Sequence, residues 1–231
     1  AKLEEGNLVC GLAGVLNFNG EPVEPSVIKR MTDRIAHRGP DGEGFYTGDG
    51  VGLGHRRLAI IDLSPAGKQP METPDGRYVI AYNGDVYNFK EIRAELEGKG
   101  RVFRSRTDSE VVLHAFAEWG EDAIPKFNGM FAFAIWDRDE KSLVLARDRY
   151  GIKPLYYCRT GDGLLFGSEV KAILAHPACR AALDTEALLE YFTFQNFFTD
   201  RTLFKGIHLL PAGTFLRIKK EEPAGASPRR Y

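Results

Sequence analysis

From residue 130 onward the chain alternates apolar runs with short polar breaks: "MFAFAIWD" (130–137), "RDEK", "SLVLARD" (142–148), "PLYYCRT" (154–160) and "GLLFGSE" (163–169). Apolar and β-branched runs bounded by tight polar turns predict successive strands in an antiparallel meander. Comparable runs at 11–18, 52–62 and 77–82 predict three earlier strands. Pro25 followed by Val27, Ile28, Met31 and Ile35 at helical spacing predicts an amphipathic helix, and a second spans 89–99 and stops at Gly100. Thr107 and Glu110 have the spacing of a capping box. Val111, Val112, Ala115 and Phe116 then carry a helix to Trp119, with Gly120 as its stop. Two further helices are expected over 169–175 and 184–195. Phe131, Phe133 and Trp136 fall on both faces of one strand and read as core. Strands, helices, strands and helices follow one another without regular βαβ alternation, so sheets packed face to face with helices outside are favoured over a doubly wound parallel sheet. From about Glu221, "EEPAGASPRRY" is polar and rich in Pro, Ala and Gly, and reads as a linker. No internal repeat is visible.

The composition narrows the class. With 231 residues, 43% hydrophobic and 27% charged, the chain is long enough for one large core and is read as one domain. Its 31 Lys and Arg against 32 Asp and Glu leave a formal net charge of -1, so no overall field favours nucleic acid or acidic lipid. The N-terminal "AKLEEGNLV" has no basic start followed by an apolar core. No apolar run approaches the ~18 residues of a membrane span. Cys10, Cys158 and Cys179 are odd in number and widely spaced; they form neither a disulfide framework nor a zinc pattern, which fits a reducing, cytoplasmic setting. No metal ligand set is read from the chain.

Cys10 carries the open question. It stands before Gly11, Ala13 and Gly14 at the head of a predicted strand, where a cysteine is ordinarily a small buried hydrophobe. As a nucleophile it needs a base, because a free thiol has a pKa of roughly 8.5. Of the five histidines, His114 lies within an amphipathic helix and His176 and His208 near apolar turns, where surface or satisfied-core roles are the ordinary reading. Were Cys10 the first residue, its own α-amine, with a pKa of roughly 8, would be matched to receive the thiol proton. Nine residues precede it.

Eight segments in order supply the rest: "CGLAGV" (10–15), "HRGPDGEG" (37–44), "GHRRLAIIDLSPAGKQPM" (54–71), "YNGDVYNF" (82–89), "TDSEVVLHAF" (107–116), "NGMFAFAIWD" (128–137), "ARDRYGIKPLYY" (146–157) and "GSEVKAIL" (167–174). Together they resemble the glutaminase domain of class II glutamine amidotransferases, the N-terminal-nucleophile family, and within it the N-terminal domain of glutamine-hydrolysing asparagine synthetases. The resemblance implies an α+β fold, a four-layer αββα sandwich of two mainly antiparallel sheets. It also implies hydrolysis of L-glutamine to glutamate and ammonia through a thioester on Cys10. Arg57 matches the arginine that holds the substrate α-carboxylate, a task suited to a planar guanidinium, while Arg56 is expected to be solvated. Asn83 and Gly84 match the oxyanion hole, although Asn-Gly alone is equally a hairpin-turn signal. Asp85 stands where the family usually has glutamate, one methylene shorter. Asp108 matches the acid that receives the α-ammonium, a role compatible with favouring the dipole of its helix. His37, Arg38 and Asp41 are expected to shape the loop over the site.

On this resemblance the domain needs no cofactor, and ATP and Mg belong to a synthetase domain whose Ser-Gly-Gly-x-Asp-Ser loop does not occur in this sequence. The partners implied are L-glutamine and that C-terminal domain, with a homodimer compatible. The expected organisation is a leader, propeptide or expression remnant at 1–9, the amidotransferase domain at 10–220 and the linker at 221–231. With the leader attached, a catalytically silent glutamine-binding or regulatory module is the alternative. A different ammonia acceptor, such as a sugar phosphate, is the third reading.

Overall fold

A computed structural model describes residues 9–221 and 226–231. The expected leader lies outside the described residues except for Val9, and so does 222–225 of the expected linker. In chain order the strands are β1 (Gly11–Asn17), β2 (Gly42–Gly48), β3 (Val51–Arg57), β4 (Met71–Glu72), β5 (Tyr78–Val86), β6 (Gly129–Asp137), β7 (Ser142–Arg147), β8 (Tyr156–Arg159), β9 (Gly163–Gly167), β10 (Ile207–Leu209), β11 (Thr214–Lys219) and β12 (Arg229–Arg230). The helices are α1 (Pro25–Asp33), α2 (Phe89–Gly98), α3 (Asp108–Trp119), α4 (Val170–Leu174) and α5 (Thr185–Phe194).

The strands form two six-stranded antiparallel sheets, ordered β10-β8-β9-β1-β3-β2 and β12-β11-β7-β6-β5-β4. Period-two alternation sends every second side chain of each to the other sheet. Leu12, Leu16 and Leu53 of the first meet Ala81, Ala134, Trp136 and Leu145 of the second in the central core. The opposite face of the second sheet, with Ile80, Phe131, Phe133 and Ile135, is covered by Val112 and Phe116 of α3 and Ile92 and Leu96 of α2. The opposite face of the first, with Ala13, Val15 and Leu165, is covered by Ile28 and Met31 of α1 and Ile173 of α4. The expected αββα order of layers is present, and the aromatics of β6 divide between two cores.

Local signals explain the best-defined helix. Thr107 accepts the Glu110 N–H at 3.3 Å. The Glu110 carboxylate turns back to the N–H groups of Arg104 and Ser105 at 2.8 and 2.7 Å. Gly120 closes the helix at φ 59°.

Three expectations are corrected, and the hairpin-turn alternative for Asn83-Gly84 is set aside. The strand drawn over 52–62 ends at Arg57, because the following residues are held in a loop: Ala59 N–H donates to Asp41 at 2.8 Å and Ser64 N–H to Asp62 at 2.8 Å. Asn83-Gly84 is no hairpin turn but lies within β5, opposite Ala132 and Phe131. A Cβ on Gly84 would stand 2.5 Å from the Met130 carbonyl oxygen, so the close approach of β6 requires glycine there. The meander breaks after β7, since β8 and β9 belong to the other sheet. The crossing turn is organised by the buried Asp148 carboxylate, which accepts from the N–H groups of Tyr150, Ile152 and Lys153 at 3.0, 3.0 and 2.9 Å. Finally, the end of the expected linker returns to the sheet: β12 pairs with β11, and the Tyr231 hydroxyl donates to the Arg147 carbonyl at 3.0 Å.

Candidate active site

β1 begins and β3 ends at the same edge of the first sheet, because the two run antiparallel with Gly11 opposite Arg56. There the second half of β5 and the first turn of α3 close a cleft of about 580 Å³, counting its open mouth. Cys10, Arg57, Asn83, Gly84, Asp85 and Asp108 all line it, together with the 58–62 loop, Gln69, Tyr82, Thr107, Ser109 and Lys153. Six residues spread over 99 positions of sequence are thus brought to one surface.

Cys10 is fixed at both ends. Its carbonyl accepts from Arg38 Nε at 3.0 Å, and Arg38 is held by Glu169 at 3.1 Å, which also binds His37 and Lys171. Its Sγ accepts from the Leu58 N–H at 3.3 Å and faces the Leu58 carbonyl at 3.5 Å. Burial pushes the thiol pKa up; the Leu58 backbone bond opposes this, Asp108 and Asp85 add to it, and Lys153 opposes it. The resting group is therefore a thiol near neutral pH, and its activation needs a base. Among the described residues no histidine lines the cleft. The Cys10 nitrogen, joined to Val9 in this sequence, is the atom that becomes a base once it is an amine.

Asn83 is 1% exposed, and its Nδ2 has no hydrogen-bond partner among the described residues. Such a buried unmade donor costs stability and marks a place where something else accepts. Gly84 supplies a second donor. The N–H groups of Tyr82 and Val86 point away from β6, to Gln69 Oε1 at 2.6 Å and Asp108 Oδ2 at 2.9 Å. By strand alternation the Gly84 N–H points to that same side.

Asp108 stands in the first turn of α3 with one carboxylate oxygen engaged by the Tyr82 hydroxyl at 2.6 Å and the Val86 N–H at 2.9 Å. Burial raises its pKa, against these two bonds. Arg57 braces the loop, donating to the Ser64 carbonyl at 2.9 Å and to the Asp62 carbonyl. Arg56, expected to be solvated, instead packs its guanidinium between Asp33 and Glu43, and this ion pairing draws it against the surface of α1 and β2. The Arg38–Glu169 brace and the Leu58 N–H reach Cys10 only through the fold, which also brings Lys153 into the cleft, and no local sequence signal marks any of them.

His55 locks the two sheets together behind the cleft. Its Nε2–H donates to the Tyr82 carbonyl at 2.9 Å, and complete burial lowers its pKa to about 4 against that bond. A histidine whose folded pKa lies below its unfolded value stabilises the fold fully above about pH 6.5, and that contribution is lost as pH falls towards 4. Urea unfolding should therefore show about 2 kcal/mol less stability at pH 5 than at pH 7 from this group. His55→Gln should flatten that slope; an unchanged slope would contradict the assignment.

Residues 9–231 match the family described as "Glutamine amidotransferase domain". The chain is 42% identical over 217 residues to asparagine synthetase [glutamine-hydrolyzing] 3 of Bacillus subtilis, and 39% identical over 218 residues to asparagine synthetase [glutamine-hydrolyzing] 1 of the same organism. Each alignment covers 92% of this chain but only 35% and 34% of those proteins, so the chain spans about a third of the length of these relatives. The fold is shared with the glutamine phosphoribosylpyrophosphate amidotransferase from B. subtilis, at a TM-score of 0.69 and 20% identity, over 96% of this chain and 49% of that one. The chain belongs to the glutamine amidotransferase domain family and is homologous to the N-terminal third of asparagine synthetases.

Proposed function

We propose that this chain, once Cys10 carries a free α-amine, hydrolyses the side-chain amide of L-glutamine to glutamate and ammonia. The observation that carries the reading is the unpartnered, buried Asn83 amide in the same cleft as Cys10. Arg57 receives the substrate α-carboxylate, and Asp108 receives the α-ammonium. Cys10 Sγ attacks the side-chain carbonyl while its proton passes to the Cys10 amine. The oxyanion takes hydrogen bonds from Asn83 Nδ2 and the Gly84 N–H, which act where charge develops. Collapse expels ammonia, which leaves with the proton returned by the amine. The same amine then deprotonates the water that opens the γ-glutamyl thioester. A chain that keeps Val9 attached lacks that base and is expected to bind glutamine without turning it over.

The ammonia is consumed, on this proposal, by a synthetase domain that activates its acceptor with ATP and Mg, neither of which is assigned to residues of this chain. The two asparagine synthetases of similar sequence are about three times as long. Leu189, Phe192, Phe194 and Phe198 leave an exposed apolar surface around α5, of the kind that contacts another protein surface. Free cysteines at 10, 158 and 179 support a reducing, cytoplasmic setting.

Coupled assays for ammonia and glutamate on protein beginning at Cys10 test the reaction: one of each per glutamine consumed supports it, and binding without either product contradicts it. The binding roles are tested separately. Asp108→Asn removes the charge that pairs with the α-ammonium and keeps the shape, so KM for glutamine should rise about 10- to 100-fold. The effect on kcat should be smaller. An unchanged KM would remove Asp108 from the substrate site.

A further inference from the structure

Lys153 is a cation in the cleft to which the proposed reaction gives no part. Its position is built with some care. The crossing turn after β7 is closed by Asp148, which accepts the Lys153 N–H at 2.9 Å, and Arg147 Nε donates to the Lys153 carbonyl at 2.9 Å. With its backbone fixed at both polar atoms, the side chain runs into the cleft and is only 9% exposed. Its ammonium lies 3.8 Å from the Asp85 carboxylate, an ion pair too long for a hydrogen bond, and makes no hydrogen bond among the described residues. A lysine so buried ordinarily lies against a fully engaged partner, because removing an ammonium from water is costly.

We propose that Lys153 is a positioning residue of the glutaminase site: its ammonium holds Asp85 at the cleft wall and balances the carboxylates there so that Cys10 can take up negative charge. The proposal rests on the glutaminase reading for its purpose, and on the cleft geometry for its substance. The charges that face Cys10 and Lys153 are Asp85 of β5, Asp108 of α3 and Arg57 at the end of β3. Tyr82 is bound to Asp108, Asp62 lies on the loop, and Arg38 is on the Cys10 carbonyl. On the proposed reading Arg57 is taken up by the substrate α-carboxylate, Arg38 is paired with Glu169, and Asp148 is held by backbone N–H groups. The balance against Asp85 and Asp108 therefore falls to Lys153, and its influence on the thiol has the matching sign.

The test reads the thiol rather than turnover. Iodoacetamide labelling of Cys10 in the full chain is followed from about pH 7 to 11.5 by mass spectrometry of its peptide, which separates it from Cys158 and Cys179. Lys153→Met should move the labelling midpoint up by about one pH unit, whereas Lys153→Arg, which keeps the charge, should stay near the parent. Asp85→Asn, a change at a partly exposed position, should move it down, and serves should Lys153→Met fail to fold. A midpoint unmoved in Lys153→Met, an Arg variant that behaves like Met, or no downward shift in Asp85→Asn would each overturn the proposal. Ammonia release measured on the parent protein beginning at Cys10 keeps the two readings apart. Turnover by that protein with an unmoved midpoint in Lys153→Met removes Lys153 alone; a moved midpoint without turnover by that protein removes the glutaminase reading and leaves the charge balance standing.

Discussion

In protein beginning at residue 10, Cys10→Ala should lower ammonia release from glutamine by at least about 10³-fold while leaving glutamine bound. The expectation follows from the division of labour in the cleft. On the proposed reading Arg57 and Asp108 hold the substrate's α-groups, and neither depends on the sulfur. Bond formation at the side-chain carbonyl has no other nucleophile within the lining residues suited to it, since Cys158 and Cys179 lie in the separate core beneath α1 and α4. Alanine removes one atom from a side chain whose main-chain carbonyl is independently held by Arg38, so the cleft should keep its shape. Isothermal titration with glutamine and an ammonia assay on the same variant check both halves. Undiminished release would mean that the thioester is not on Cys10.

The second large effect is expected at Asn83. Asn83→Ala deletes an amide whose Nδ2 has no partner among the described residues. Folding should not suffer from the loss of that donor, and removal of a buried unsatisfied group can even stabilise. The rate should fall by about 10²- to 10³-fold, in kcat far more than in KM, because the oxyanion exists only after attack. Steady-state kinetics and a melting curve on one preparation decide the matter. A large fall in stability with unchanged kcat would make Asn83 structural. Gly84 cannot be probed as cleanly, because any side chain there strikes β6 at Met130 and Phe131.

What the sequence shows and what it hides divides along a physical line. Helix α3 is legible because its cap, its apolar face and its stop are all local: Thr107, the Val111 to Phe116 spacing and Gly120. Strand β2 is not, since Gly42, Gly44 and Gly48 break its alternation. Gly44 is there for another reason, a backbone approach so close that a Cβ would meet the Gln69 carbonyl oxygen at 2.0 Å. The run through Ile60, Ile61 and Leu63 reads as strand by hydrophobicity, yet these side chains are exposed and their loop forms a wall of the cleft. Tertiary placement overrode the pattern. Asn83-Gly84 read alone is a turn; only the flanking motif pointed to a site, and only the register within β5 explains why the glycine is needed.

The six residues named from the sequence share one cleft, and what holds them there is illegible in the sequence. Cys10 and Leu58 are 48 residues apart, and Arg38 and Glu169 are 131 apart. No spacing rule connects such pairs, because each is created by two antiparallel strands or a loop closing over a sheet edge. Lys153 sits in a motif, "GIKPLYY", whose resemblance was plain, but its reach into the cleft depends on the Asp148 turn that carries the chain from one sheet to the other.

The central claim, that Cys10 is both nucleophile and bearer of the base, is tested most directly by ammonia release from samples of verified intact mass. Protein beginning at Cys10 and protein retaining residues 1–9 are compared side by side. The account predicts turnover from the first and little or none from the second. Equal turnover by a chain still carrying all nine residues would contradict it, because the Cys10 nitrogen would then be an amide throughout and another group would have to accept the proton.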